Sequence, residues 1–528
     1  MEQTREERQK RLGGVKVEEG EDAADANSGN GARGAQPKMR MRVLRNGFEG
    51  GVGTGDGRLG SRAHFTSVPA APRQGNWAGL RGAIGVRWIA RGGAGINEAG
   101  MPQPAAAFLS RDFRRYQLAR VFVIIGAEAQ ALAVAWQVYA ITHRAIDLGY
   151  TGLMLFFPGL LFLLPAGHAA DRFDRRQVIL ACYSLQAVCS LILLRFAWIG
   201  IHEVWPIFVV LFAVGTGRAF SGPASSALVP HLVPQANFVN AVTWGSAIFQ
   251  IANIVGPALG GILYTLPLRG RLHGAAVAYA FAFCSILWFL ALMASLEVRP
   301  GRMEHRAFSK DVILAGIRYV AKKQVLLGSI SLDLFAVLLG GAVALMPIFA
   351  EDILHTGPRG LGMLRAAPAL GALTVSLWMM WRPIRRSAGV KMLVCVAIFG
   401  AATVLFGESR NLALSLAALY VVGASDMVSV VIRASMLQLA TPPEMRGRVS
   451  AVNSLFVVTS NELGEFESGL TAQWWGAVRA VVIGGIGSMM ITGLWAAFFP
   501  RLRRAGALTP EALTAAELEE SSQETRQL

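Results

Sequence analysis

The sequence predicts an all-α membrane protein with twelve transmembrane helices in two pseudo-symmetric six-helix bundles. Three observations carry this. Apolar segments of spanning length recur from residue 119 to residue 498, basic residues gather at every second junction between them, and landmarks of the first half return in the second at a nearly constant spacing. Helices are the only open-ended way to satisfy a backbone in lipid, and about 20 residues cross a bilayer core.

Composition sets the class. Hydrophobic residues make up 53% of the 528 and charged ones only 16%, where a soluble domain carries about 25% charged residues. The formal net charge of +16 does not imply a nucleic-acid partner, because Arg and Lys cluster at the ends of apolar runs and in the first hundred residues, as membrane topology requires. Cys182, Cys189, Cys284 and Cys395 all lie in apolar segments without a Cys-x-x-Cys pair or a histidine at ligand spacing. They read as packing residues, with no metal and no cofactor expected.

Residues 1–110 are a different material, rich in Gly, Arg, Ala and Pro without apolar periodicity beyond a charged stretch from Glu2 to Lys10. They are expected to be a disordered tail. Gly53-Thr54-Gly55-Asp56-Gly57 neither follows a strand nor opens a helix, so it reads as low complexity and not as a phosphate loop. No basic stub followed by an apolar stretch marks a cleavable signal. Met101, just before Pro102 and the basic Arg111–Arg115 stretch, reads as a natural start, which would make the first hundred residues dispensable or an over-extended reading frame.

The first six spans are expected at 119–142, 149–169, 177–198, 206–227, 239–264 and 275–296, forming a bundle over 111–297. A central loop at 298–324 follows, with an amphipathic helix from Ser309 to Lys323 lying on the membrane face. Six more spans, at 325–350, 358–381, 389–407, 411–438, 449–472 and 476–498, form a second bundle over 325–504, ahead of a tail at 505–528. Arg114, Arg115 and Arg120 precede the first span, Arg172, Arg175 and Arg176 follow the second, and Arg299 to Lys323 fills the centre. Arg382, Arg385, Arg386 and Lys391 follow the eighth, Arg446 and Arg448 the tenth, and Arg501, Arg503 and Arg504 the twelfth. All fall on one side of an alternating chain, so both termini are expected in the cytoplasm. The opposite loops hold only scattered basic residues such as Arg144, Arg269 and Arg271.

The halves echo each other. Arg172, Arg175 and Arg176 stand 210 positions before Arg382, Arg385 and Arg386, and Gly256-Pro257-Ala258-Leu259-Gly260-Gly261 stands 208 before Gly464-Glu465-Phe466-Glu467-Ser468-Gly469. Parallel six-helix repeats give this register. In the second copy Glu465 takes the proline position.

Between the second and third spans lies Gly167-His168-Ala169-Ala170-Asp171-Arg172-Phe173-Asp174-Arg175-Arg176. It resembles the signature Gly-x-x-x-Asp-Arg-x-Gly-Arg-Arg of the major facilitator superfamily, with Asp174 in the usual glycine place. Pro223-Ala224, Leu228 to Pro234, Asn240-Ala241-Val242 and Ile254 to Gly261, with Arg446 to Val449 and Ser460 to Gly464, look like the efflux-permease branch that includes the enterobactin exporter. The likeness covers residues 112 to about 504. It implies an inner-membrane, multi-pass secondary transporter, monomeric, working on a small molecule and on protons. It also implies that Gly167, Asp171, Arg172, Arg175 and Arg176 form a gate, with Asp171 at the start of the eleventh helix near Val449 and the arginines on neighbouring acids. Gly256, Pro257, Gly260 and Gly261 resemble the antiporter motif of the fifth helix. There proline bends the helix and the glycines let a neighbour approach.

Charges inside spans are expensive, about 2.5 to 3.5 kcal/mol each near a helix centre, and so point inward. Glu128, Arg218, Asp333, Arg365, Asp426, Arg433 and Glu462 are the candidates for proton coupling or substrate binding, with Glu465 one turn after Glu462. Glu128 leads as a titrating carboxylate, since its span is otherwise apolar with Gln130 beside it. Asp333 lies near a span end, and Asp426 and Arg433 share a helix face. Arg218 resembles the fourth-helix arginine of the superfamily, although Gly222 falls four residues later where that pattern has three. Gln130, Gln137 and Asn253 either line a cavity or bridge helices.

Enzymatic motifs are missing: no Gly-x-Ser-x-Gly elbow, His-Glu-x-x-His pair or nucleotide loop occurs, and the eight histidines lie in the tail, in loops or near span ends. The expected function is export of a siderophore-like or drug-like molecule by proton antiport. Metabolite import or exchange, lysolipid flipping and a non-transporting scaffold are the alternatives.

Overall fold

A computed structural model of the chain describes residues 106–266, 274–297, 310–382 and 387–506. The tail before residue 106, the end after residue 506, and Arg269, Arg271, Arg299, Ser309, Arg385 and Arg386 lie outside the described residues. Every regular element described is helical.

In the first half, α1 spans Arg111–Thr142, α2 Ala145–Leu161, α3 Leu163–Arg172, α4 Arg175–Ile199, α5 Trp205–Leu232, α6 Phe238–Thr265 and α7 Ala275–Ala294. Local chemistry fixes their ends. The Ser110 side chain accepts from the Phe113 backbone N–H to start α1, and His143, at φ 49°, ends it. Asp174 starts α4 by accepting from the Arg176 N–H, and Gly200, at φ 75°, ends it. Asp174 therefore does at the superfamily's glycine place what an N-cap carboxylate does well. The expected second span, 149–169, breaks at Phe162 into α2 and α3, four residues after Pro158. Proline removes a backbone donor and crowds the preceding turn, which loosens the helix there.

The short α8, Lys310–Lys322, sits where the amphipathic helix was expected. Gly316 and Val320 pack it onto the later α14 (Pro443–Trp475), while Leu314 and Ile317 stay exposed. In the second half, α9 covers Gln324–Leu339, and the chain continues through Gly340 and Gly341 into α10, Met346–Ile348, and a π-turn at Phe349–Ile353. Then come α11 (Gly357–Trp381), α12 (Ala388–Glu408), α13 (Leu412–Leu439), α14, α15 (Ala477–Phe498) and α16 (Pro500–Arg504). Among the described residues ten helices are long and apolar enough to cross a membrane, the run from Gln324 to Ile353 counting as one. The 17-residue α2 is apolar but shorter, and the 33-residue α14 is too polar along its length to count with them.

Packing follows the sequence repeat. α6 packs on α1 in its own half and on α11 in the other, and α14 packs on α9 in its own half and on α2 in the other. Small residues allow these approaches. A Cβ added at Gly260 would stand 2.8 Å from the Ala129 Cα of α1, and one at Gly261 would stand 2.6 Å from the Pro358 carbonyl of α11. Likewise Gly464 abuts the Val337 carbonyl of α9 at 3.0 Å, and Gly469 abuts the Ala145 carbonyl of α2 at 2.9 Å.

The buried apolar clusters are unequal on the two faces. On the face away from the start of α1, one cluster runs through both halves and joins Val134, Val138 and Leu148 to Leu345, Phe349, Leu361 and Phe406. Toward the face where α1 starts, the first half has its own cluster around Phe113 and Phe289, and the second half has two, around Met392 and around Val449. The halves are sealed together on the far face and separate on the near one.

Candidate functional site: a charged cavity between the halves

A cavity of about 350 Å³ lies between the halves. α1 gives it Glu128 and Gln130, α2 Thr151, α5 Arg218, α6 Asn253 and Pro257, α11 Arg365, and α14 Glu462 and Glu465. Four of the expected coupling or binding residues, Glu128, Arg218, Arg365 and Glu462, thus share one space with Glu465. Hydropathy could locate them because a charge in a span has few other places to go.

Two missing side chains shape this space. At Gly256 a Cβ would stand 2.5 Å from Glu128 Cβ and 3.1 Å from its Cγ, so the glycine of the antiporter-like motif makes room for the first-span carboxylate. At Gly152 a Cβ would stand 2.8 Å from Glu465 Oε2 and 3.4 Å from Glu462 Oε2. Glu462 and Glu465 of α14 therefore converge on one bare stretch of α2. Gly152 was missed in the sequence, where nothing distinguishes it from other glycines of apolar helices.

Three carboxylates face two guanidinium groups, and among the described residues no ion pair closes between them. The charges are spread around the cavity wall without direct contact. Arg365 Nε and Asn253 Oδ1 are buried without a hydrogen-bond partner, one on each half. An unpaired donor and an unpaired acceptor on one cavity suit a polar guest better than an apolar one. Gln130 both lines the cavity and accepts a hydrogen bond from Ser190 Oγ at 2.6 Å, while Gln137 accepts from the Tyr279 hydroxyl at 2.6 Å and so bridges α1 to α7 outside the cavity lining.

Asp333, Asp426 and Arg433 lie elsewhere. Asp333 sits nine residues into α9, 5% exposed, and pairs with Arg433 of α13, so it is a core residue and not a span-end one. Asp426 lines a separate small cavity with Asp333 and Ser429. Sequence gives depth along a helix but not which neighbour a face meets, so the two groups looked like one set.

The far face is closed across the halves by polar contacts that sequence reading missed. The Tyr139 hydroxyl donates to Asp352 of the π-turn, and Arg359 Nε donates to Thr265 Oγ1 at 2.7 Å. On the near face, Gly167 lies within α3, Arg172 is exposed, and the Asp171 side chain lies outside the described residues. Arg175 Nη1 donates to the Ala227 carbonyl at 2.8 Å and stands 2.6 Å from His231 Nε2, and Arg176 donates to the Ala294 carbonyl. These two arginines hold α5 and α7 in their own half near the ends of those helices, and among the described residues neither closes an ion pair with an acid. Helix C-termini present unpaired carbonyls, which attract guanidinium groups. Val449, the expected neighbour of Asp171, is fully buried against Val320 and Leu326.

Residues 103–526 match the transmembrane secretion effector family. Enterobactin exporter EntS of Shigella boydii serotype 18 (strain CDC 3083-94 / BS512) is 26% identical over 380 residues, covering 72% of this chain and 86% of the relative, and EntS of Escherichia coli O1:K1 / APEC gives the same figures. Among solved structures, a point mutant of nucleoside transporter NupG superposes with TM-score 0.60 at 12% identity, over 74% of this chain and all of that one. A bacterial homolog of the human lysosomal transporter Spinster superposes with TM-score 0.57 at 14% identity, over 77% of this chain and 98% of that one. Sequence, helix order and superposition agree: this multi-pass membrane protein, a transporter and not an enzyme, belongs to the transmembrane secretion effector family of the major facilitator superfamily.

Proposed function

We propose that the chain exports a small organic molecule, siderophore-like or drug-like, across the cytoplasmic membrane by proton antiport. The observation that carries this is the cavity between the halves, where Glu128, Arg218, Arg365, Glu462 and Glu465 line one space without closing a contact ion pair among them. A wholly apolar guest would leave those groups without partners, so the guest is polar and larger than an ion. The relatives named enterobactin exporter support the direction.

In this reading twelve helices work as two six-helix bundles, over 111–297 and 325–504, with the broken α2–α3 and the polar α14 as the two spans beyond the ten. The basic clusters put the near face and both termini in the cytoplasm, so the described state loads from the cytoplasm. Glu462 and Glu465, sharing one wall, hold a proton between them, and Glu128 carries another or binds the guest. Opening of the far face breaks the Tyr139–Asp352 contact, and the near face then closes with Asp171 and Arg172 as its latch. Gly256, Pro257, Gly260 and Gly261 act in gating by setting how closely α6 rides on α1 and α11.

The test is a comparison of metabolites in medium and cytoplasm between a deletion strain and its complement. Retention of a compound inside the deletion strain is expected. Failure of that strain to deplete a nutrient from the medium would instead make the protein an importer.

A further inference from the structure

We propose that the second half holds a proton-binding site of its own, at Asp426 beside the Asp333–Arg433 pair and separate from the substrate cavity. The place is a small cavity of about 10 Å³ lined by Asp333, Val337 and Ala336 of α9, Val396 and Phe399 of α12, and Asp426 and Ser429 of α13. None of these residues lines the larger cavity between the halves.

Charge and hydrogen bonding both point to an added proton. Asp333 and Arg433 are 5% and 4% exposed and paired with each other, which leaves the second carboxylate without a countercharge in apolar surroundings. An uncompensated buried charge is costly, and taking up a proton removes it. Ser429 is 1% exposed, and its Oγ has no hydrogen-bond partner although it faces the same small cavity. A hydroxyl can accept from a protonated carboxyl. The volume is at the lower limit for one water molecule, too little for a cation with its shell of oxygens.

The charged and titratable groups of the surrounding helices do not offer an alternative partner. α11 and α14 present Arg365, Glu462 and Glu465 to the larger cavity. On α12, Lys391 and Glu408 are exposed near the two ends, and Cys395 is a thiol without charge to offer. Asp333 is the charged group that shares the small cavity with Asp426, and Arg433 stands behind it as the partner of Asp333.

The site joins α9 to α13, and the α9 span runs on through Gly340 and Gly341 to Asp352, which holds Tyr139 across the far face. While Asp426 is protonated, Arg433 belongs to Asp333 and ties the two helices. When the proton leaves, the charge on Asp426 stands across the small cavity from Asp333, and repulsion between the two carboxylates loosens the tie to α9. Proton occupancy thereby biases the same span that closes the far face, with no substrate required.

The experiment is infrared difference spectroscopy on the purified full chain in lipid nanodiscs without substrate, stepped from mildly acidic to mildly alkaline buffer. The difference between the parent and Asp426→Asn should contain one protonated-carboxyl band in acidic buffer that is lost toward alkaline pH. Ser429→Ala, which is less disruptive, should shift that band and not delete it. If the Asp426→Asn difference contains only an ionised-carboxylate band, or if Ser429→Ala leaves the spectrum unchanged, the proposal fails. Sodium titration gives a further arm. Loss of the band on adding sodium at constant pH would make this a cation site and overturn the proton assignment. Because no substrate is present, these outcomes are independent of whether the metabolite comparison supports export.

Discussion

α6 and α14 are matched by sequence spacing and by packing, and they differ at one position that matters. Each lays a glycine on the first helix of its own half and another, five residues later, on the second helix of the other half. Between those glycines α6 has Pro257 and α14 has Glu465, and both line the cavity. The shared glycines keep the joint, whereas the unshared residue divides the labour: one copy bends, the other carries charge. A duplicated scaffold can hold its geometry with small residues and vary its chemistry one position away.

The largest expected effect comes from attacking what the copies share. Gly261→Leu and Gly469→Leu each drive a side chain into a backbone carbonyl of the opposite half. Overpacking of this kind costs about 1–3 kcal/mol or more. Both should lower the melting temperature in detergent and abolish export, and damage from only one of them would break the equivalence of the two joints.

Attacking what differs should separate the copies. Glu465→Gln is expected to leave a folded protein but cut uphill export by at least about tenfold, equivalent to about 1.4 kcal/mol, while downhill exchange persists. Pro257→Ala should keep coupling and alter turnover only. The measurement is accumulation in proteoliposomes with and without an imposed pH difference. Equal loss in both variants would mean that the charge of α14 is not what sets it apart.

Glu128→Gln sharpens the same comparison from the α6 side, because Glu128 occupies the room that Gly256 leaves. It should also abolish uphill export and spare exchange. If vesicles containing it still concentrate substrate under a pH difference, the coupling site lies elsewhere, with Arg218, Asp426 and Glu462 the next to test.

The smallest effects are at the faces. Tyr139→Phe removes one cross-half hydrogen bond, a loss of about 1–3 kcal/mol for a bond to a charged group. It should raise thiol labelling of cysteines introduced near Asp352. Asp171→Asn should leave insertion and folding intact and slow transport, since helix-end charge contacts are worth about 0.3–2 kcal/mol, or up to roughly 30-fold in a balanced equilibrium. Normal transport by a well-expressed Asp171→Asn protein would remove it from the gate.

What sequence made legible follows from cost. Charges in spans had to face inward, so Glu128, Arg218, Arg365, Glu462 and Glu465 could be selected by hydropathy, and the glycine register could be matched because helices that touch need small residues. The break at Phe162 was hidden because apolar composition runs straight through it. Rotation about a helix axis was equally hidden, which is why Asp333, Asp426 and Arg433 could not be separated from the cavity set. Which of its two expected roles Gln137 takes, and where Arg175 and Arg176 end, were hidden for a related reason: long polar side chains take the nearest carbonyl or hydroxyl, and that neighbour is known only once helices are assembled.

The unequal apolar seams carry a kinetic consequence. Opening the far face would wet Val134, Leu345, Phe349 and Phe406 together, since they belong to one cluster shared by both halves, and water opposes that exposure. Closing the near face need not dissolve any seam, because each half keeps its own. An empty carrier therefore idles with its mouth toward the near side, and the slow leg of its cycle is the excursion away from it. On this basis the concentration of guest on the near side governs how often that excursion begins loaded.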